Sequence, residues 1–157
     1  MEFTTISLTQ ENDISILTLN RPKAMNALNA TLIAEMNAAL DMVAGNEQTR
    51  ALVVTGGDKV FAAGGDIKAM MECKPLDARA YVAPIHKAFN TLAELSKPTI
   101  AAICGHALGG GVELAAACDL RVAGVSAKFG FPEINLGIFP AAGGSQRIPH
   151  LIGLSKT

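Results

Sequence analysis

Two glutamates in apolar surroundings are the residues of this chain best suited to chemistry. Glu113 lies within CGHALGGGVELAAACD, residues 104–119, three positions beyond Gly110. Glu133 lies within FGFPEINLGIFPAAGG, where Pro132 and Gly137 bracket it with turns. Burying an unpaired charge is costly. Burial also raises a carboxyl pKa, and a carboxyl that titrates near neutrality suits general acid–base work.

The glycines supply a second kind of group. Glycine at a strand-to-helix passage permits positive φ and close approach of the backbone to a ligand. The first N–H groups of a helix have no partner within it and lie at the positive end of its dipole. A carbonyl oxygen that gains negative charge is stabilised by such donors. The N–H of Gly110 is one candidate, and Glu113, one helical turn further on, leans back toward it. KVFAAGGDIKAM offers a second, because Gly64-Gly65-Asp66-Ile67 is again a glycine turn entering a short helix. Two amide donors and two carboxylates could carry proton transfers beside a polarised carbonyl. Each feature alone also has an ordinary structural reading. Strand–glycine–helix turns are common, a first-turn glutamate complements the dipole, and Glu133 could start a helix or pair with Arg147. Neither turn is GxGxxG followed by a suitable acid, so a dinucleotide site is only weakly suggested.

The elements that must position these groups follow from periodicity and turn residues. Residues 2–9 and 14–19 alternate, with Gln10-Glu11-Asn12-Asp13 between them, which predicts a hairpin. Residues 20–24 form a loop. Asn29 is a good N-cap for a helix in which Leu32, Ile33, Met36, Leu40 and Val43 recur at helical spacing until Gly45. Residues 51–55 read as a buried strand, 59–66 as a loop of small residues and 66–72 as a short helix. A longer helix spans 78–95, with Pro84 near its start or kinking it. After Pro98 come an apolar strand, the triple glycine and a short helix over 111–117. A third core strand over 119–124 and a short one over 127–130 follow. HLIGLSKT, at 150–157, reads as the start of another helix. Strand–loop–helix units therefore recur at 51–72, 99–117 and 120–147, which predicts α/β with a parallel component rather than a sandwich.

Composition narrows the classes of function. Half of the 157 residues are apolar and 17% are charged, which argues for a packed core and against disorder. The formal net charge is −1 and no basic run exceeds two residues, so no nucleic-acid partner is expected. No apolar run reaches the ~18 residues of a membrane span, so no membrane partner is expected. The N-terminal MEFTTISLTQEND is polar and β-like rather than a signal peptide. Cys73, Cys104 and Cys118 lack metal spacing and read as free thiols in a reducing cytoplasm.

KVFAAGGDIKAM, ICGHALGGGVELAAACDLRVA and AKFGFPEINLGIFPAAGGSQRIPHLIG, in this order and after LNRPKAMNALN, carry a family likeness. From about residue 3 to 157 the chain resembles the enoyl-CoA hydratase/isomerase (crotonase) superfamily, and within it the hydratases most. The resemblance implies an α/β fold, a crotonase-like ββα spiral core domain over 1–157, and acyl-CoA thioester substrates. It implies that the N–H groups of Gly65 and Gly110 hold the thioester oxygen of an enolate-like intermediate. Glu113 would help activate the water that attacks the β-carbon, and Glu133 would protonate the α-carbon and also hold the water. Lys23, Ala24 and Ala63, with the Gly65-Asp66-Ile67-Lys68 segment, match family contacts to coenzyme A, although Lys23 also reads as a solvated loop lysine. Phe131 and Gly137 complete the implied substrate-binding set. Phe131 stands where well-characterised hydratases often carry a polar residue, so a different acyl pocket is expected.

The presence of both glutamates favours hydration of a 2-enoyl-CoA to a 3-hydroxyacyl-CoA, with no metal and no cofactor apart from the coenzyme A of the substrate. The alternatives are an enoyl-CoA isomerase, another crotonase-type acyl-CoA lyase, or a non-catalytic fragment that binds CoA esters. Family members continue into a C-terminal helical region that closes the acyl pocket and supports trimer packing. That region is expected to be largely absent from this chain, and the full-length form is expected to be a cytoplasmic homotrimer or hexamer. Among the remaining polar residues, His86 reads as surface, His106 as pocket-lining or structural, and no histidines are spaced as metal ligands. Ser145 lacks the GxSxG setting of a serine nucleophile. Asp66 reads as the cap of the 66–72 helix, and Asp119 and Arg121 as structural. Met25, Met36, Met42, Met70 and Met71 read as core or acyl-pocket lining.

Overall fold

A computed structural model describes residues 2–157. In chain order the regular elements are β1 (Ile6–Glu11), β2 (Ile14–Leu19), α1 (Ala30–Gly45), β3 (Ala51–Thr55) and β4 (Val60–Ala62). Then follow α2 (Ile67–Glu72), α3 (Ala78–Ala93), β5 (Thr99–Ile103), β6 (His106–Leu108) and α4 (Gly110–Ala117). The last are β7 (Leu120–Ala123), β8 (Lys128–Gly130) and α5 (Gly144–Ile152), with short 3-10 turns at 22–24, 75–77, 132–136 and 154–156.

The predicted hairpin forms, with Glu11 opposite Ile14, so only Asn12 and Asp13 make its turn. Asn12 takes the left-handed conformation at φ 54, which asparagine tolerates better than most residues. Asn29 caps α1 as predicted: its Oδ1 accepts from the N–H of Leu32 at 2.9 Å. The five periodic residues of α1 are buried, and Ala39 joins them.

Two sheets organise the rest. One has the order β1-β2-β3-β5-β7, parallel from β2 onward, and the other the order β4-β6-β8, all parallel. Each pass of the chain lays one strand in the large sheet and the next in the small sheet. A helix or turn then returns it: α2 after β4, α4 after β6 and the 132–136 turn after β8. This is the recurring unit predicted from sequence, with one correction. Residues 60–62, read as loop, form a fully buried strand, and 106–108 form a strand of which Ala107 is buried. Three residues are too few to show a period of two.

The core gathers Leu17, Leu52, Phe61, Phe89, Leu92 and Ile103, each buried. Full burial of one such side chain contributes roughly 1.5–3 kcal/mol. Two further expectations fail. β7 is paired only to β5, and all four of its residues are exposed, so it is an edge rather than a core strand. Residues 150–152 finish α5 instead of starting a helix, and Gly153, at φ 83, ends it. Among the described residues, no helix is long and apolar enough to cross a membrane.

Asp119 and Arg121 are structural, as expected. Asp119 Oδ2 accepts from the N–H and hydroxyl of Thr99 at 2.8 Å each. Arg121 Nη1 donates to the carbonyl of Cys118 at 2.7 Å and so covers the C-terminal end of α4. A comparable tie fixes the chain start to α1. Thr4 and Thr5 each donate a backbone N–H and a hydroxyl to the Glu35 carboxylate, at 2.6–2.9 Å. Desolvation opposes the charged form of Glu35, but these four bonds outweigh it and hold the carboxyl at about 2. A lowered folded-state pKa gives stability that is present above the unfolded value and lost as pH falls through the folded one. Glu35→Gln should therefore lower the melting temperature at pH 7, and the gap to wild type should close between pH 4.5 and pH 2 in a series of thermal melts.

Candidate active site

The two glycine turns meet. Gly64 is at φ 98, and a Cβ on it would stand 2.9 Å from the Leu108 carbonyl and 3.4 Å from the Gly110 nitrogen. A Cβ on Gly110 would stand 3.5 Å from the Gly65 nitrogen. Neither the Gly65 nor the Gly110 N–H donates to an acceptor among the described residues. Two unpartnered backbone donors, side by side and far apart in sequence, are the arrangement that stabilises a developing oxyanion.

The Gly65 turn is held by the loop before α1. Ala63 N–H donates to Met25 O at 3.0 Å, Leu28 N–H to Gly64 O at 2.8 Å, and Asp66 N–H to Leu28 O at 3.2 Å. Asn26, buried and at φ 54, directs its side-chain amide at the carbonyls of Gly56, Val60 and Phe61. Arg21 donates to the Ala27 carbonyl and pairs with Asp66 Oδ2 at 3.3 Å. Asp66 makes no side-chain cap bond to α2, so its expected role as a helix cap is corrected. Arg21 and Asn26 are the supporting residues that sequence reading missed. Arg21 sat in the 20–24 loop and Asn26 just beyond it, and an asparagine outside any periodic segment gives no sign that it will be buried.

Glu113 and Glu133 are both buried, at 3% and 9% exposure. Glu113 Oε1 accepts from the Gly144 N–H at 2.7 Å. Burial pushes the Glu113 carboxyl up, and the amides of Gly144 and Ala142 offset part of that rise; Glu133 adds to it and His86 reduces it. Burial also raises Glu133, partly offset by its own amide, and Glu133 Oε2 has no hydrogen-bond partner among the described residues. The predicted alternative of an ion pair with Arg147 is not formed: Arg147 bonds Asn90 Oδ1 at 2.7 Å and Ala142 O at 3.3 Å. Glu133 is in the first turn of the 132–136 segment and is folded against Gly109. Gly109 has φ 50 and ψ −118, and a Cβ there would stand 2.5 Å from Glu133 Oε1.

The structure thus brings Gly65, Gly110, Glu113 and Glu133 to one place. Ala63 leads into the Gly65 turn, and Asp66, Ile67 and Lys68 lead out of it into α2; Ile67 and Lys68 are exposed. Lys23 is exposed and Ala24 half-buried in the 22–24 turn, which leads into Met25 and its bond to Ala63. Gly137 ends the 132–136 turn in left-handed conformation. Phe131 lines an apolar groove of about 430 Å³ between α4 and α5, beside Val112, Ile148 and Leu151, which neither glutamate lines. Of the five methionines expected in the core or acyl pocket, Met36 is core and Met70 covers Gly65, whose Cβ would stand 3.3 Å from Met70 Cε. Met25, Met42 and Met71 are exposed, against expectation. His86 is exposed as predicted but is not idle, since its Nε2 lies 2.6 Å from Ala141 O. His106 is a half-buried β6 residue paired with Val60 and Lys128. The Cys118 thiol is pushed up to about 12 by burial, which makes it inert near neutrality.

A parallel two-sheet core whose glycine turns meet beside two buried acids has known relatives. The enoyl-CoA hydratase/isomerase family model matches residues 9–157. A crotonyl-CoA hydratase of Syntrophomonas wolfei is 46% identical over 154 residues, covering 98% of this chain and 59% of the relative. A short-chain-enoyl-CoA hydratase of Clostridium acetobutylicum is 42% identical over 155 residues, with 98% and 59% covered. The crystal structure of an enoyl-CoA hydratase from Bacillus anthracis superposes with a TM-score of 0.93 at 38% identity, covering 98% of this chain and 60% of that one. This chain belongs to the enoyl-CoA hydratase/isomerase family and has its crotonase-like α/β fold. It spans about 60% of the length of the curated relatives it matches.

Two outcomes follow from this geometry. Gly109→Ala places a side chain in glycine-only backbone space, a strain of about 1–3 kcal/mol, and drives Glu133 from its place; the melting temperature should fall. The raised pKa of Glu133 means that its stabilising contribution is full below the unfolded value near 4.5 and lost as pH rises through the folded one. Glu133→Gln should therefore melt above wild type at pH 8, with the difference vanishing toward pH 4.

Proposed function

We propose that the protein of which this chain is part hydrates a 2-enoyl-CoA to the 3-hydroxyacyl-CoA. The observation that carries this reading is the pair of buried carboxyls, Glu113 and Glu133, beside the two free amides of Gly65 and Gly110. The thioester carbonyl accepts from both amides, so negative charge that develops on its oxygen meets fixed dipoles. Glu113, its charged form supported by the Gly144 N–H, takes a proton from water as the oxygen bonds to C3. The C2–C3 π electrons move toward the thioester to give an enolate. Glu133, whose raised carboxyl favours the protonated form, delivers a proton to C2 and holds the water beforehand. One hydroxyl and one hydrogen are added, which balances one water.

The reaction exchanges no electrons and needs neither a redox cofactor nor a metal; coenzyme A belongs to the substrate. Lys23, Ala24, Ala63, Asp66, Ile67 and Lys68 bind the coenzyme A portion. The two exposed lysines suit its phosphates. Phe131 and Gly137 contribute to the acyl side. Assembly of the full-length form as a cytoplasmic trimer or hexamer completes the proposal, supported by the exposed Leu120, Val122, Leu151 and Ile152. Both acids being buried favours hydration over isomerisation, because a water needs two groups to orient and deprotonate it.

Glu113→Gln and Glu133→Gln should each lower kcat for crotonyl-CoA by about 10²–10⁴-fold with KM little changed, since a positioned acid or base acts mainly on the barrier. Loss of the conjugated enoyl-thioester absorbance gives the rate. Near wild-type turnover in both variants would end the proposal.

A further inference from the structure

Glu113 is placed by α4, but the amide on its carboxylate comes from the turn that enters α5. Within that turn Ala142 packs into the core and Gly144 is buried. Ile138 and Phe139, which lead into it, are exposed, and Gly143 is at φ 110. It is also held from α3. His86 Nε2 lies 2.6 Å from Ala141 O. Four residues further along the same helix face, Asn90 Oδ1 accepts from Arg147 Nη2 at 2.7 Å. Arg147 Nη1 donates back to Ala142 O at 3.3 Å. A Cβ on Gly143 would stand 2.1 Å from Arg147 Nη1, so the turn closes directly on the guanidinium.

We propose that His86, Asn90 and Arg147 form a clamp that sets the 141–144 turn and thereby seats the Gly144 N–H on Glu113 Oε1. They are positioning residues and act on Glu113 through the turn. The bond they secure is charge-assisted, about twice as strong as a neutral one, and its benefit depends on the amide staying aimed at a buried oxygen. Glu133 from the 132–136 turn and His86 from α3 are the titratable groups that bear on Glu113. α4 contributes no charge besides Glu113 itself, and Arg147 of α5 is turned onto Asn90 and Ala142. Loosening the turn removes support from the charged form, so the Glu113 titration moves upward.

The effect on turnover rests on the hydratase reading; the effect on the carboxyl does not. The test is a ¹³C-carboxyl NMR titration of Glu113, assigned by the signal lost in Glu113→Gln. It is run on wild type, His86→Leu, His86→Gln and Asn90→Leu, with crotonyl-CoA kinetics and thermal melts alongside. In His86→Leu and Asn90→Leu the Glu113 titration should rise by about one pH unit, a tenfold change in proton affinity. kcat should fall roughly tenfold with KM within a factor of two, as expected for a misaimed catalytic group. His86→Gln, which can still donate to Ala141 O, should stay near wild type. An unchanged Glu113 titration in His86→Leu and Asn90→Leu overturns the clamp, even where the melting temperature drops. So does a shift in His86→Gln equal to that in His86→Leu, which would make the effect one of charge. If the full-length form hydrates nothing, the hydratase reading fails while the titration still decides the clamp.

Discussion

The close approach of the Gly64-Gly65 turn to the Gly109-Gly110 turn is the constraint around which the rest is built. The two backbone segments lie so near that a Cβ on Gly64 would crowd the Leu108 carbonyl and one on Gly110 would touch the Gly65 nitrogen. The approach leaves the Gly65 and Gly110 N–H groups without acceptors among the described residues. Unpartnered amides are costly in a protein interior unless something else meets them. Such a pair therefore persists only if the surrounding structure holds both turns in place.

That holding is distributed. Large-sheet strands β3 and β5 run parallel, and each is followed by a small-sheet strand, so β4 and β6 deliver the two turns side by side. The loop before α1 then ties down the first turn through Met25, Leu28, Asn26 and the Arg21–Asp66 pair. The second turn is stabilised by α4, which starts at Gly110 and ends under Arg121. A side chain on Gly111 would stand 2.2 Å from the Ala62 carbonyl, so the helix packs against β4 at backbone distance.

The acids illustrate a different balance. Burial raises both the Glu113 and the Glu133 carboxyl. Glu113 keeps support for its charge from the Gly144 amide, whereas Glu133 has one oxygen without a partner among the described residues. The two carboxyls are thus raised by the same cause, burial, and differ in what offsets it. The turn that supplies the Gly144 amide is bonded in turn by α3, so the surroundings of Glu113 depend on elements other than its own helix.

Much of this was legible in the chain itself. The period of α1, its Asn29 cap, the hairpin, the glycine turns and the two misplaced-looking glutamates are local signals, because each depends on residues within a few positions of one another. The resemblance to acyl-CoA enzymes rested on the same short motifs. What the sequence could not show is non-local. β4 and β6 are three residues each and exist because a neighbouring strand pairs with them. β7 reads as core by its residues yet stands at a sheet edge. Asp66 has the type and position of a cap, but Arg21, 45 residues earlier, claims it. Residue types and spacing thus determined which groups could do chemistry. Only the tertiary structure decided which of them meet, since a carboxylate's partners come from whatever backbone the fold carries to it.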